Sequence, residues 1–167
     1  MSPISSSRKH RTKIALVFCG GFLLLVGVAL ATPGSMVTPT THARGTLGVD
    51  QNIHSKSGVL VKTHGSVDVA TQQVVIAGGG HTGWHSHPGP VLVTVKSGAL
   101  RLIYADDHAC TGTVYTAGQS FIDRGDAVVH IARNESTVNP VELWATYFVP
   151  GDPGVPFRLD APAPSSC

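Results

Sequence analysis

The stretch Gly79-Gly80-His81-Thr82-Gly83-Trp84-His85-Ser86-His87, followed by Gly98 and then, past Gly118, by Val128-Val129-His130-Ile131-Ala132-Arg133-Asn134, decides how the chain is read. Residues two apart on a β-strand point to the same face and advance together by about 6.6 Å. His85 and His87 therefore share a face. Two imidazoles so placed can lean toward one cation at the usual metal–nitrogen distance of about 2.0–2.1 Å, and a third from another strand closes such a site. His130 lies in the β-branched run Ala127-Val128-Val129-His130-Ile131 and is the natural third ligand.

The surroundings of these histidines read as strands. Runs rich in Val, Ile, Leu, Thr and aromatic residues recur at 59–61, 73–76, 83–87, 91–95, 99–104, 113–115, 120–122, 128–132 and 141–149. Turn signals separate several of them, at Gly78-Gly79-Gly80, Ser97-Gly98, Asp106-Asp107 and Ala117-Gly118. With 19 Gly, 11 Pro and only 13% charged residues, the composition suits short strands joined by tight turns, and no long amphipathic helix is found. Lys96-Ser97-Gly98 lies between two apolar runs and predicts a hairpin whose glycine takes a positive φ. The class expected is all-β, an antiparallel barrel of two sheets.

Taken together, Gly79, His85, His87 and Gly98, then Gly118, His130 and Asn134, resemble the two-part signature of the cupin superfamily. That signature has a first motif Gly-x5-His-x-His-x3,4-Glu-x6-Gly and a second motif Gly-x5-Pro-x-Gly-x2-His-x3-Asn. The first four residues fall at the right offsets, and the second set carries one extra residue before the histidine. Val91 stands where the first motif has its glutamate, so the carboxylate ligand is missing. The proline and glycine of the second motif fall on the turn Asp123-Arg124-Gly125-Asp126. The resemblance covers about Gly58 to Val149 and implies a double-stranded antiparallel β-barrel, the jelly roll, over residues 58–154. In it Asn134 ties down the turn after the His130 strand, and the formal glycosylation sequon at Asn134-Glu135-Ser136 is coincidental.

The ends read differently. Residues 1–31 carry Arg8, Lys9, Arg11 and Lys13 ahead of an uncharged apolar run from Ile14 to Ala31, the pattern of a signal peptide or an N-terminal membrane anchor. A helix over that run reaches about 27 Å, just short of a bilayer core, which leans toward an anchor, while Ala29-Leu30-Ala31 leans toward cleavage. Either way the barrel is sent outside the cytoplasm, secreted or anchored, with the positive charges left inside. Residues 32–57, rich in Thr, Gly, Ser and Pro, read as a flexible linker, and residues 155–167 as a Pro-rich tail or an arm for a partner. Setting the first 31 residues aside removes four of the 12 basic residues and none of the 10 acidic ones, which leaves 8 − 10 = −2. That balance, with no basic patch interleaved with aromatics, excludes nucleic acid as a partner. Membrane contact is expected only through the N-terminal segment.

Two cysteines remain in the exported part, Cys110 and Cys167, and an oxidising compartment allows them to pair; the alternative is two free thiols. His81 shares the parity of His85 and is a candidate fourth ligand if the strand runs unbroken through Gly83. A three-imidazole set favours zinc, iron, nickel or copper over manganese or magnesium and leaves a coordination position open. No catalytic base is assigned. Glu142, inside the last apolar run, either faces solvent or reaches the site, while Trp84, Tyr104, Tyr115, Trp144 and Tyr147 read as core or interface aromatics. No nucleophile elbow or phosphate loop is present. Two functions stay open: a metalloenzyme acting on a small molecule, with dioxygenase or isomerase chemistry implied by the resemblance, and a non-catalytic module that binds a metal or a small ligand. The resemblance also implies a homodimer.

Overall fold

The computed structural model of the protein describes residues 30–167. The signal or anchor expected at residues 1–31 lies outside them, except for its last two positions. Among the described residues there are twelve strands and no helix.

Alternation of apolar and polar side chains builds the centre of the barrel. In β4 (Val67–His81), every second residue from Asp68 to Ile76 is buried. In β11 (Val141–Pro150), Val141, Leu143, Ala145, Tyr147 and Val149 are buried, and the two strands pair antiparallel from Val141↔Ile76 to Pro150↔Val67. β6 (Val91–Ser97) adds to the other side of β11 with Val91, Val93 and Val95 turned inward, and β9 (Ser120–Asp123) pairs with β6. Beyond the far end of β4 lie β10 (His130–Arg133), β5 (His85–Ser86) and β12 (Leu159–Asp160), giving the order β12-β5-β10-β4-β11-β6-β9. β7 (Ala99–Tyr104) pairs with β10 and with β8 (Thr113–Thr116). The inward faces of β4, β6, β7 and β11 form one continuous core. Each aliphatic side chain fully buried there contributes about 1.5–3 kcal/mol. The result is the antiparallel β-barrel expected.

Both ends of the barrel need correction. The segment 32–57, expected to be a flexible linker, contains a 13-residue strand, β1 (Ser35–Leu47), paired with β4 from Ser35↔His81 to Leu47↔Val67. It is anchored by Arg44, whose guanidinium meets the buried carboxylate of Asp68 at 2.6 Å, and by the hydroxyl of Thr46, also 2.6 Å from that carboxylate. A separate hairpin of β2 (Gln51–His54) and β3 (Leu60–Thr63) connects it to β4. At the other end, residues 155–167 are not a loose tail. β12 pairs with β5, the backbone of Ala161 donates to the carbonyl of Trp84, and Cys110 is bonded to Cys167.

The run 83–87, expected as one strand, is strand only at His85–Ser86. Gly83 breaks it, with φ +71 and no room for a Cβ beside the carbonyl of Thr32. Gly98 has φ +80 in the β6–β7 hairpin, as its sequence predicted.

Candidate metal centre

Three strands and one turn bring the histidines together. In the β5–β10 ladder His85 lies directly opposite His130, and in the β7–β10 ladder His130 lies opposite Tyr104. His87 follows β5 and sits next to the same ladder. The ring centroids are 4.3 Å apart for His85 and His130, 4.9 Å for His85 and His87, and 5.2 Å for His87 and His130. Their ligand atoms all lie within 4.8 Å of one another, and all three side chains are buried.

One nitrogen of each ring is already engaged. Nδ1 of His85 is 2.9 Å from the carbonyl of Gly83, Nδ1 of His87 is 2.5 Å from the carbonyl of Phe157, and Nδ1 of His130 is 3.0 Å from Oδ2 of Asp123. Those partners only accept, so each neutral ring must carry its proton on Nδ1 and donate it. Nε2 of each ring is left with a free lone pair, the arrangement in which a partner behind a histidine fixes tautomer and orientation for metal binding. Burial is the main force keeping the rings neutral. It pushes His85 down to about 2, helped by the nearby His130 and Arg158, and it lowers His87. It also lowers His130 to about 4, against the opposing pull of Asp123. Three neutral nitrogen donors in a buried cluster fit a divalent transition metal; three protonated imidazoles would repel one.

Asp123 is the functional group that sequence reasoning missed. It is 1% exposed, and besides facing His130 it accepts from the hydroxyl of Tyr104 at 3.3 Å and from the backbone N–H of Gly125 at 2.9 Å. Burial, followed by the Asp123 charge, pushes the Tyr104 hydroxyl up to about 12, so it stays protonated as a donor. The available signal was an acidic residue ending the strand Ser120-Phe121-Ile122-Asp123 on the same parity as Phe121. The turn that follows masked it.

The remaining candidates fall elsewhere. His81 ends β4, opposite Arg133, and its Nδ1 accepts from the backbone N–H of Gly83 at 3.0 Å, away from the three-histidine group. The break at Gly83 removes the condition on which its ligation rested. Glu142 stays on the outer face, where it accepts from Lys96 at 2.9 Å, Gln73 at 2.7 Å and the indole of Trp144 at 3.1 Å. The Lys96 contact does most to hold its carboxyl below the usual range. Trp84 packs with Ile103 and Ile131, and Tyr115 packs against Phe121. Tyr147 and Tyr104 do reach the site, packing edge-on against His87 at 5.4 Å and His130 at 5.7 Å.

Two of the histidines, His87 and His130, line a cavity of about 410 Å³ together with Asp123 and with apolar side chains such as Val74, Leu102, Phe121 and Leu143. Asn134 lies outside it. Its amide donates to the carbonyls of Ile76, Ala77 and Asn139, so the nitrogen of the sequon is fully used in fixing the turn.

The family model of the cupin domain, Cupin_2, matches residues 72–149. No curated protein sequence is similar enough to be matched. Among solved structures, the chain is similar to a protein with a double-stranded β-helix domain from Klebsiella pneumoniae, with 21% identity over 69% of this chain and 86% of that one, TM-score 0.45. It is also similar to a cupin domain from Bordetella pertussis, with 20% identity over 71% of this chain and 97% of that one, TM-score 0.43. An oxalate oxidase structure shares 23% identity over 53% of this chain, TM-score 0.43, and the chain spans 45% of its length. Residues 72–149 thus match the cupin-domain model, and the antiparallel barrel they help to build carries both histidine motifs.

Proposed function

We propose that this protein is an extracytoplasmic metalloprotein that holds one divalent transition metal through His85, His87 and His130 and uses it on a small molecule bound in the barrel. The observation that carries this reading is the state of the three rings: all are buried, and all direct Nδ1 to an acceptor, leaving three lone pairs in one cluster. When bound, iron, copper, nickel or zinc would supply Lewis acidity or redox chemistry at a position open to substrate. The chain's own residues do the rest. Asp123 and the carbonyls of Gly83 and Phe157 hold the ring protons in place, and the apolar walls limit the water around the ligand.

The reaction we favour is dioxygenase chemistry, because the donor set lacks a carboxylate and the cavity fits a small organic molecule. The test is to load the protein anaerobically with iron(II) and follow dioxygen consumption against a panel of small organic acids, alcohols and thiols. Consumption that requires iron and disappears in His87→Ala supports it. A protein that binds iron stoichiometrically and consumes no dioxygen with any of them is the non-catalytic binding module instead.

The N-terminal charge and hydropathy pattern supports export, with secretion or anchoring decided by cleavage after the apolar run. A homodimer is the assembly we propose. β1 pairs on one side only among the described residues, which leaves a strand edge for a second copy, and Ile53, Val59 and Leu60 on the neighbouring hairpin are exposed. Sedimentation of the purified protein tests it, with a monomer at all concentrations contradicting it.

A further inference from the structure

The C-terminal segment contributes more than a wall. Arg158 lines the cavity, and its guanidinium has one satisfied arm: Nε donates to Asp160 at 2.6 Å. Nη2 is shielded from solvent with no hydrogen-bond partner, the single buried side-chain nitrogen or oxygen in that condition among the described residues, while the side chain as a whole is 32% exposed. A buried cationic N–H without an acceptor is costly, and where such a group persists it calls for an explanation such as a ligand that completes it. The positive charge is close enough to the centre to disfavour protonation of His85, His87 and His130 alike.

The same segment is firmly placed. Phe157, the preceding residue, gives its carbonyl to His87, stacks on Tyr147 at 5.1 Å, and lies under the guanidinium of Arg44 at 4.9 Å. Two residues further, β12 pairs with β5, Leu159↔Ser86 and Asp160↔His85. Arg158 is thus fixed by both neighbours, and it is the one Lys or Arg side chain lining the cavity, whose other walls are mostly apolar apart from the histidines, Asp123, Gln72 and Thr82.

We propose that Arg158 is the recognition residue for an anionic group, and that the ligand of this barrel is a small amphipathic carboxylate whose apolar part fills the cavity. Arginine presents paired N–H donors in a planar fork that matches a carboxylate. Asp160 takes only Nε, and Asp123, which lines the same cavity, is already engaged by His130, Tyr104 and Gly125; neither satisfies Nη2. This assignment rests on the proposed site for its location, yet it does not require the metal.

Binding of benzoate and hexanoate, with benzamide and hexanamide as uncharged controls, tests it by calorimetry on the full chain. It is measured for the parent, Arg158→Gln and Arg158→Lys, each metal-free and metal-loaded, with metal content determined in the same samples. The expected result in metal-free protein is carboxylate binding that falls about tenfold or more in Arg158→Gln, as loss of a charge-assisted hydrogen bond implies, and is partly retained in Arg158→Lys. The amides should bind about as weakly to the parent as the acids do to Arg158→Gln. Equal affinity of parent and Arg158→Gln, equal affinity for acid and amide, or no saturable binding of either acid up to about 10 mM overturns the assignment. Loss of metal loading with Arg158-dependent binding intact would instead overturn the metal reading and leave this one standing.

Discussion

Asp123 is 1% exposed and receives hydrogen bonds from an imidazole, a phenol and a backbone amide, so its buried oxygens are met by named donors. Replacing it with Asn keeps the volume and removes the charge behind His130. The expected effect of Asp123→Asn is a loss of about 10–100-fold in metal affinity with an unchanged far-UV spectrum, measured by competition with a chromophoric chelator. The rings themselves set a pH dependence. His85 is held down at about 2 and His130 at about 4, against 6.5 for the free side chain. Below about pH 6.5 the unfolded chain therefore binds more protons than the folded one, and stability declines as pH falls through that range. The urea midpoint of metal-free protein should drop steadily from about pH 7 to pH 5, and a flat midpoint would contradict buried neutral histidines. At this scale the sequence was most legible where spacing alone names the ligands. His85, His87 and His130 could be read from two motifs, whereas Asp123 and Arg158 could not, because each acts through a contact made by a distant element.

The turn at Gly83 shows how an element boundary decides chemistry. By ending the continuity of β4 and β5 it turns His81 onto its own backbone and places His85 opposite His130. Gly83→Ala meets both a left-handed φ and the carbonyl of Thr32, so it should cost about 1–3 kcal/mol from the backbone alone and lower metal affinity as well. Gly118→Ala is the control: its φ is also positive at +86 but nothing lies within 4 Å. It should cost about 1–2 kcal/mol in thermal unfolding and leave metal binding unchanged. If the two variants behave alike, the close approach at Gly83 has been misread. Strands buried on one face, such as β6, β7 and β11, were legible because alternation follows from burial. β1 was not, since it is exposed along nearly its whole length and needs no apolar period. Its Pro39 is compatible with the sheet because a strand paired on one side can do without one donor.

Across the whole molecule, the disulfide between Cys110 and Cys167 closes a loop of sequence separation 57 and ties the C-terminal segment to the barrel. Cys167→Ser should lower stability by about 4 kcal/mol on the chain-entropy model. It should also weaken metal binding, because the carbonyl behind His87 belongs to Phe157 in that segment. Unfolding and metal titrations run together check both effects, and an unchanged metal affinity would show that β12 and Phe157 hold their places without the bond. Compact size and turn-rich composition predicted the barrel, but the way both chain ends complete it depends on contacts more than a hundred residues apart, such as Thr32 with Ala161. The measurement closest to the central claim is elemental analysis of the purified full chain beside His85→Ala/His87→Ala. The account predicts about one equivalent of iron, copper, nickel or zinc per chain, absent from the double variant while its fold persists. A folded parent that takes up no metal when supplied with it, or a double variant that retains as much as the parent, would contradict it.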